Sequence, residues 1–364
     1  MRIQRIGILT GGGDCPGLNA VIRAVVLDAA GAGIEVIGIS DGFLGLIEDR
    51  ARPIRPDEVS EIVALGGTIL GTSNKANPSR FAACADAAGK PVFSNVMDKC
   101  LEHVRRHRLD ALLVIGGDGT MTVAEPFAKA GLNCIGIPKT IDNDLWGTDL
   151  TFGFLTASSI AAEALDRLHT TAASHHRALV MEVMGRNSGW IALHAGVASG
   201  CHVILIPEVK FSIEAVARAV MDRRSRGKTS SLICVAEGAS TVGGEQSVMR
   251  IDPTSPDPIR LGGIAQTVAA GVEAATGIES RYVVLGHIQR GGSPIPADRV
   301  MGTRFGHAAM EALRNGLRNR MVAWQAGRMT DIELSAAAGK QRKIEPDNPL
   351  VAAARAVGTR FGDE

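Results

Sequence analysis

The chain has no surplus of either charge. Its 39 Lys and Arg stand against 38 Asp and Glu, a formal net charge of +1. That balance argues against the broad basic surface that nucleic acid requires, so any anion is bound locally. Cysteine is scarce and scattered: Cys15, Cys84, Cys100, Cys134, Cys201 and Cys234 form no C-x-x-C pair. A zinc ribbon or dithiol redox motif is thereby excluded, and buried, reduced thiols are expected. No apolar run approaches the ~20 residues of a membrane helix, and no segment combines the charged, apolar and cleavable parts of a signal peptide. The expectation is a cytoplasmic protein with neither membrane nor nucleic acid as partner. Repeats and low-complexity tracts are missing too. So are two phosphate-binding signatures: there is no G-x-G-x-x-G with its acidic partner, and the only Gly-Lys-Thr, at 227–229, has Asp222 where a P-loop needs its first glycine.

What is present begins with 364 residues at 45% apolar content, enough to bury a large core and to divide into two lobes. Short β-branched runs recur at 6–10, 35–40, 110–117, 133–138, 178–185, 203–207, 231–238 and 282–288. They are continuous rather than alternating, as in parallel strands covered on both faces. Helical spacing fills 18–30, 155–171 and 212–226. The pattern predicts an α/β protein of crossover units, with ligands at the carboxyl ends of the strands. The stretch 238–257, with Pro253, Pro256 and Pro258 in or beside it, reads as an irregular excursion.

Chemistry concentrates at those strand ends. In "TGGGDCPGLNAVIRA", residues 10–24, a strand runs into three glycines ahead of a helix. Glycine lets backbone approach a phosphate, and a helix start offers unpaired N–H donors. "GGDGT", 116–120, repeats the arrangement with an acid inside it. Asp118 repels phosphate by itself, so its place there points to Mg²⁺ held between carboxylate and phosphate oxygens; the plainer reading is a helix cap. "PKTIDND", 138–144, puts Asp142 and Asp144 on one turn beside Lys139 and Thr140. Two carboxylates so close should not share a role, and Asp144 reads as a supporting or metal-side group. Later strand ends add Arg177, Arg186, Glu237, Arg281, His287 and Arg290, a set suited to a sugar phosphate.

Taken in order, TGGGD, GGDGT, TIDND, MGR and GHIQRGG resemble the 6-phosphofructokinase family, and in detail the branch that mixes ATP-dependent and pyrophosphate-dependent members. The likeness runs from Ile6 to about Gly306, and the stretch after about Leu313 carries no motif. The resemblance implies two Rossmann-like doubly wound domains with mainly parallel sheets, an active-site cleft between them, and a homodimer or homotetramer. The larger, phosphoryl-donor domain would comprise 1–153 plus about 289–340. The smaller, sugar-phosphate domain would comprise 154–288 plus part of the C-terminal tail. The implied reaction is transfer of a phosphoryl group from ATP, or from pyrophosphate as the alternative, to the 1-hydroxyl of fructose 6-phosphate. Asp142 would be the general base, Asp118 the Mg²⁺ carboxylate, and Thr140 and Arg186 would steady the moving phosphoryl group. Gly12, Gly13, Asp118, Gly119, Thr120 and Lys139 would line the donor site. Thr140, Ile141, Asp142, Met184, Gly185, Arg186 and Glu237 would contact the sugar, and His287, Arg290, Arg177 and Arg281 its 6-phosphate, the last two serving a neighbouring subunit.

The donor signals are mixed. Pyrophosphate-type members carry Asp after GGD and Lys before TIDND, ATP-type members Gly at both, and this chain has Gly119 and Lys139. An acid at 119 would exclude a nucleotide by bulk and like charge, so its absence favours ATP. Lys139, on a long flexible stem, could serve either donor. Asn74 stands where allosteric bacterial ATP enzymes have an arginine near the nucleotide. Leu27 and Pro56 replace arginines of their effector site, while Arg23 is kept. Weak or absent control by those effectors is expected. Two rivals are a dinucleotide oxidoreductase, which lacks its fingerprint, and a non-catalytic sugar-phosphate sensor, which would have no need of Asp118, Thr140 and Asp142 together.

Overall fold

The structure, a computed structural model, describes residues 3–86, 90–251 and 258–364. In chain order the elements that position the site are β1 (Arg5–Thr10), α1 (Leu18–Gly31), β2 (Glu35–Ile39), β3 (Ala51–Pro53), β4 (Ala111–Gly116), α2 (Asp118–Lys129) and β5 (Asn133–Thr140). The chain continues through α3 (Phe154–His175), β6 (Ala178–Val183), α4 (Trp190–Ala198), β7 (Val203–Leu205), α5 (Ile213–Ser225) and β8 (Ser231–Ala236). It closes with α6 (Ile264–Thr276), β9 (Ser280–Val284), α7 (Pro296–Arg314), β10 (Arg320–Gln325), β11 (Arg328–Glu333) and α8 (Pro349–Ala356).

The described residues divide into two units. The first holds residues up to Leu155 and Arg290–Gln341; the second holds 156–251, Ile259–Gln289 and Arg342–Glu364. In the first unit the strand order is β11-β10-β5-β4-β1-β2-β3, with a two-residue strand, Phe152–Gly153, beside β5. Neighbours from β2 to β10 are parallel, and only β3 and β11 run antiparallel at the edges. The unbroken apolar runs explain this: all six residues of β4 are buried, as a strand sandwiched between helix layers must be. The second unit is a four-stranded, all-parallel sheet in the order β7-β8-β6-β9.

All eight apolar runs are strands, and the last of them differs in two ways. β9 stops at Val284, and Gly286, at φ +53°, opens a 3-10 turn, Gly286–Gln289, where strand was expected. It is also an edge strand, so Tyr282, Val283 and Val284 are 45%, 40% and 51% exposed rather than covered. Of the excursion at 238–257, residues 248–251 form a hairpin with Ile259–Leu261, and 252–257, including Pro253 and Pro256, lie outside the described residues. The cysteines are all free thiols as read, and five are buried; Cys84, on a strand of a small hairpin, is exposed against expectation. The motif-free tail is well built. After β10 and β11 it turns to the second unit, where Phe361 is fully buried and Ile204 N donates to Arg360 O at 2.9 Å.

Candidate active site

In the first unit the carboxyl ends of β1, β4 and β5 are adjacent, because Thr10 pairs with Ile115 and Gly116 with Pro138. Three of the sequence's motifs therefore converge on one edge. Thr120 is wedged between two of them: a Cβ on Gly11 would fall 2.7 Å from its methyl group, and one on Gly116 2.3 Å from its Cβ. Glycine at both positions is the condition for that approach. Thr120 is 7% exposed, so its first task is to lock the two loops together.

The glycine turn is held from three sides. Gly12, at φ +78°, donates its N–H to Ser73 O at 3.2 Å, and the Thr72 hydroxyl donates to Gly12 O at 2.6 Å. Neither Thr72 nor Ser73 was singled out by sequence; the neighbouring Asn74 and Lys75 are exposed. Lys139 donates Nζ to Gly13 O and is 4% exposed. The flexible cation expected from the sequence is thus a fixed strut. Burial lowers its pKa, against the raising influence of Cys15, Asp142 and Asp14 and with the lowering influence of Arg290. Arg290 Nη1 donates to Asp14 O at 3.1 Å, so two cations secure consecutive carbonyls of the turn.

Asp118 is the first residue of α2 and half-buried, where the helix dipole favours an anion. Gly119 is exposed, its φ is outside the left-handed range, and a Cβ there would meet nothing within 4 Å. The fold does not require glycine at 119. Among the described residues no group of three or more His, Cys, Asp or Glu could hold a metal ion.

After β5 the chain makes a rigid, buried turn. Asp142 N donates to Thr140 Oγ1 at 3.0 Å, and Asn143, at φ +52°, accepts Thr151 N at 2.9 Å. The Thr151 hydroxyl donates to Thr140 O at 2.7 Å. Asp142 and Asp144 are 5% and 7% exposed. Ile141, expected against the sugar, has its side chain in the core at 1% exposure, so only its backbone can face a ligand.

The second unit has its own convergence, at the carboxyl ends of β8, β6 and β9. Gly185 (φ +144°) and Arg186 (φ +50°) form a tight loop, with Ser188 N returning to Gly185 O at 2.9 Å. Left-handed Arg186 is strained backbone of the kind that persists where the surroundings over-determine it. Its N–H donates to Glu237 Oε1 at 3.0 Å, and a Cβ on Gly238 would fall 1.8 Å from its carbonyl oxygen. Glu182, 2% exposed, was not foreseen, since one acid inside an apolar run carries no sequence signal. It accepts Gly263 N at 3.1 Å and Ala265 N at 3.0 Å at the start of α6, and its carbonyl accepts Leu285 N at 3.0 Å just before His287.

Two expected ligands lie elsewhere. Arg177 and Arg281 sit at the amino ends of β6 and β9, gripping Glu279 at 2.8 Å and 2.5 Å. A six-residue strand at ~3.3 Å per residue puts them about 20 Å from Met184 and Arg186 of the same chain.

A family description, Phosphofructokinase, matches residues 5–313. The chain belongs to the phosphofructokinase family. It is 48% identical over 363 residues, 99% of both chains, to ATP-dependent 6-phosphofructokinase 2 of Clostridium perfringens. It is also 45% identical, over 94% of this chain and 96% of the relative, to a pyrophosphate–fructose 6-phosphate 1-phosphotransferase of Amycolatopsis mediterranei. Among solved structures, the T-state phosphofructokinase of Pichia pastoris superimposes with a TM-score of 0.78 at 28% identity, covering 99% of this chain and 37% of the longer yeast chain. The strand-end motifs of both units are thus those of a phosphofructokinase, with the mainly parallel α/β architecture of that family.

Proposed function

We propose that this phosphofructokinase is the ATP-dependent enzyme, transferring the γ-phosphoryl group of ATP to the 1-hydroxyl of fructose 6-phosphate and releasing ADP and fructose 1,6-bisphosphate. The observation that carries the reading is the buried, hydrogen-bonded Thr140–Asp142 turn set beside the Asp118 loop on adjacent strand ends. Phosphoryl transfer is mainly positioning and charge neutralisation, with one base to orient the nucleophile. Asp142 accepts the proton of the 1-hydroxyl as its oxygen bonds to the γ-phosphorus and the bond to the ADP oxygen breaks. Asp118 would hold Mg²⁺, which when bound supplies positive charge to neutralise the polyphosphate. The strutted glycine turn lines the donor site, and Thr140 and Arg186 bind the moving group. Glu237 with the 184–186 loop holds the sugar, and His287 and Arg290 take its 6-phosphate. Arg177 and Arg281 serve the site of a second copy, which accounts for their place at the amino ends of β6 and β9. The exposed apolar edge of β9 is the surface on which that copy would pack. The protein would act in the cytoplasm; no helix among the described residues is long and apolar enough to cross a membrane.

For the donor, the open space at Gly119 supports ATP. Pyrophosphate stays the second reading because of Lys139 and the Amycolatopsis relative. Turnover with MgATP, MgADP and pyrophosphate, read by coupled detection of fructose 1,6-bisphosphate, separates them; pyrophosphate turnover without any MgATP activity overturns the first reading. Asp142→Asn should lower kcat about 10²- to 10⁴-fold with little change in either KM.

A further inference from the structure

The C-terminal segment crosses into the second unit at Arg342 and is fastened at once. The Trp190 indole N–H donates to Arg342 O at 3.2 Å, and the Arg342 guanidinium lies 4.2 Å over the same ring. Ile344 N donates to Glu208 Oε1 at 3.1 Å. The two oxygens of that carboxylate also accept Gly189 N, at 3.2 and 3.1 Å. Gly189 precedes the first residue of α4, and a Cβ there would lie 2.4 Å from Ile206 and 3.0 Å from Glu208, so the approach needs glycine. Directly upstream, Ser188 is 1% exposed and closes on Gly185 through its N–H. One hydrogen-bonded turn therefore separates the Glu208 carboxylate from the strained Arg186.

We propose that Glu208 is a positioning residue for the sugar-phosphate loop: by clasping Ile344 and Gly189 together, it makes the C-terminal crossing segment a brace that fixes Met184, Gly185 and Arg186. A helix start needs only a serine or asparagine to cap it. A carboxylate is a costly choice there, since burial raises its pKa even against N–H donors from Gly189 and Ile344. What a carboxylate adds is an anion with two acceptor oxygens: Oε1 bridges Ile344 N and Gly189 N, and Oε2 holds Gly189 N a second time. The proposal rests on the sugar-binding reading of the 184–186 loop.

The test is steady-state kinetics of the full-length protein with fructose 6-phosphate and MgATP, alongside thermal melts, for Glu208→Gln, Glu208→Ala and Trp190→Phe. Gln keeps one acceptor, Ala keeps none, and Phe keeps the ring under Arg342 without the N–H bond. Fructose 6-phosphate KM should rise about 3-fold in the Gln and Phe variants and about 10-fold or more in Ala, as loss of hydrogen bonds to a charged group implies. MgATP KM and Tm should change little, while kcat falls alongside because Arg186, which binds the moving group, shares the loop. A flat fructose 6-phosphate KM in Glu208→Ala overturns the proposal, and so does a rise of both KM values to a similar extent together with a fall in Tm, which marks a general fold defect. If the unsubstituted protein fails to turn over fructose 6-phosphate, the functional reading and the proposal fall together. Wild-type turnover with an unresponsive variant series removes the brace alone.

Discussion

Gly119 has no neighbour within 4 Å of where a side chain would begin, and an ordinary backbone conformation. Asp can therefore be installed without strain, and Gly119→Asp should leave Tm within about 1 °C while lowering kcat/KM for MgATP by more than 10²-fold. Fructose 6-phosphate KM should stay within about 2-fold, so two-substrate kinetics plus a melt read the whole prediction. Lys139 is the opposite case, with an ammonium sealed under Gly13 O. Because burial depresses its pKa, folding disfavours its charged form, and that unfavourable contribution is present at neutral pH and fades as pH rises from the folded pKa toward the ordinary 10.5. Lys139→Met should therefore raise Tm at pH 7, while weakening donor binding as the glycine turn loses its strut. An unchanged donor KM would show that donor binding does not need the strut, and a lower Tm would show that the bond to Gly13 O outweighs the burial penalty. The sequence brought Lys139 to notice but hid its restraint, because the Gly13 carbonyl that holds it is 126 residues away. Chain proximity carries no trace of such a partner. Gly119 was legible because its meaning lies in the absence of a side chain.

At the scale of elements, strands covered on both faces announce themselves as unbroken apolar runs, and all eight were placed within a few residues. The edge strand β9 has the same composition, so periodicity could not reveal that three of its apolar side chains are exposed. The β10–β11 hairpin escaped for a different reason. Gln325 pairs with Arg328 across a two-residue loop in which Ala326 and Gly327 both have positive φ, 48° and 80°. That geometry normally advertises itself as Asn-Gly or Asp-Gly. Here Asp149 replaces the missing local signal by accepting Ala326 N at 2.8 Å. The seam between β7, β8 and the tail is similarly non-local: His202 accepts Leu232 N at Nδ1 (2.8 Å), and its carbonyl accepts Arg360 N at 3.0 Å. Burial, helped by Arg223 and His169, holds this imidazole neutral, with its pKa down to about 4 from 6.5. A depressed pKa contributes stability that is complete above pH 6.5 and is lost as pH falls toward 4, where the unfolded chain takes up a proton that the folded chain refuses. Urea unfolding between pH 7 and 4.5 should show that decline, and His202→Gln should flatten it; an unchanged slope would assign the acid sensitivity to other groups.

The whole molecule is where the two displaced arginines acquire a purpose. If Arg177 and Arg281 complete a partner's site, neither Asp142→Asn nor Arg281→Ala homo-oligomers should be active beyond a few per cent of wild type. Mixed oligomers, refolded together from the two inactive variants, should recover a substantial fraction, because some sites then draw both intact halves. Mixing that restores nothing would place all the ligands of each site in one chain. The interleaving of the two units has a consequence of another kind. The polypeptide enters each unit at least twice, with residues up to Leu155 and 290–341 in one and the intervening stretch plus 342–364 in the other. No contiguous stretch of gene therefore encodes either unit, and a single exchange of gene segments cannot replace one unit while leaving the other whole. Point substitution is the simpler route to a new phosphoryl donor, at positions the fold leaves unconstrained, and Gly119 is such a position.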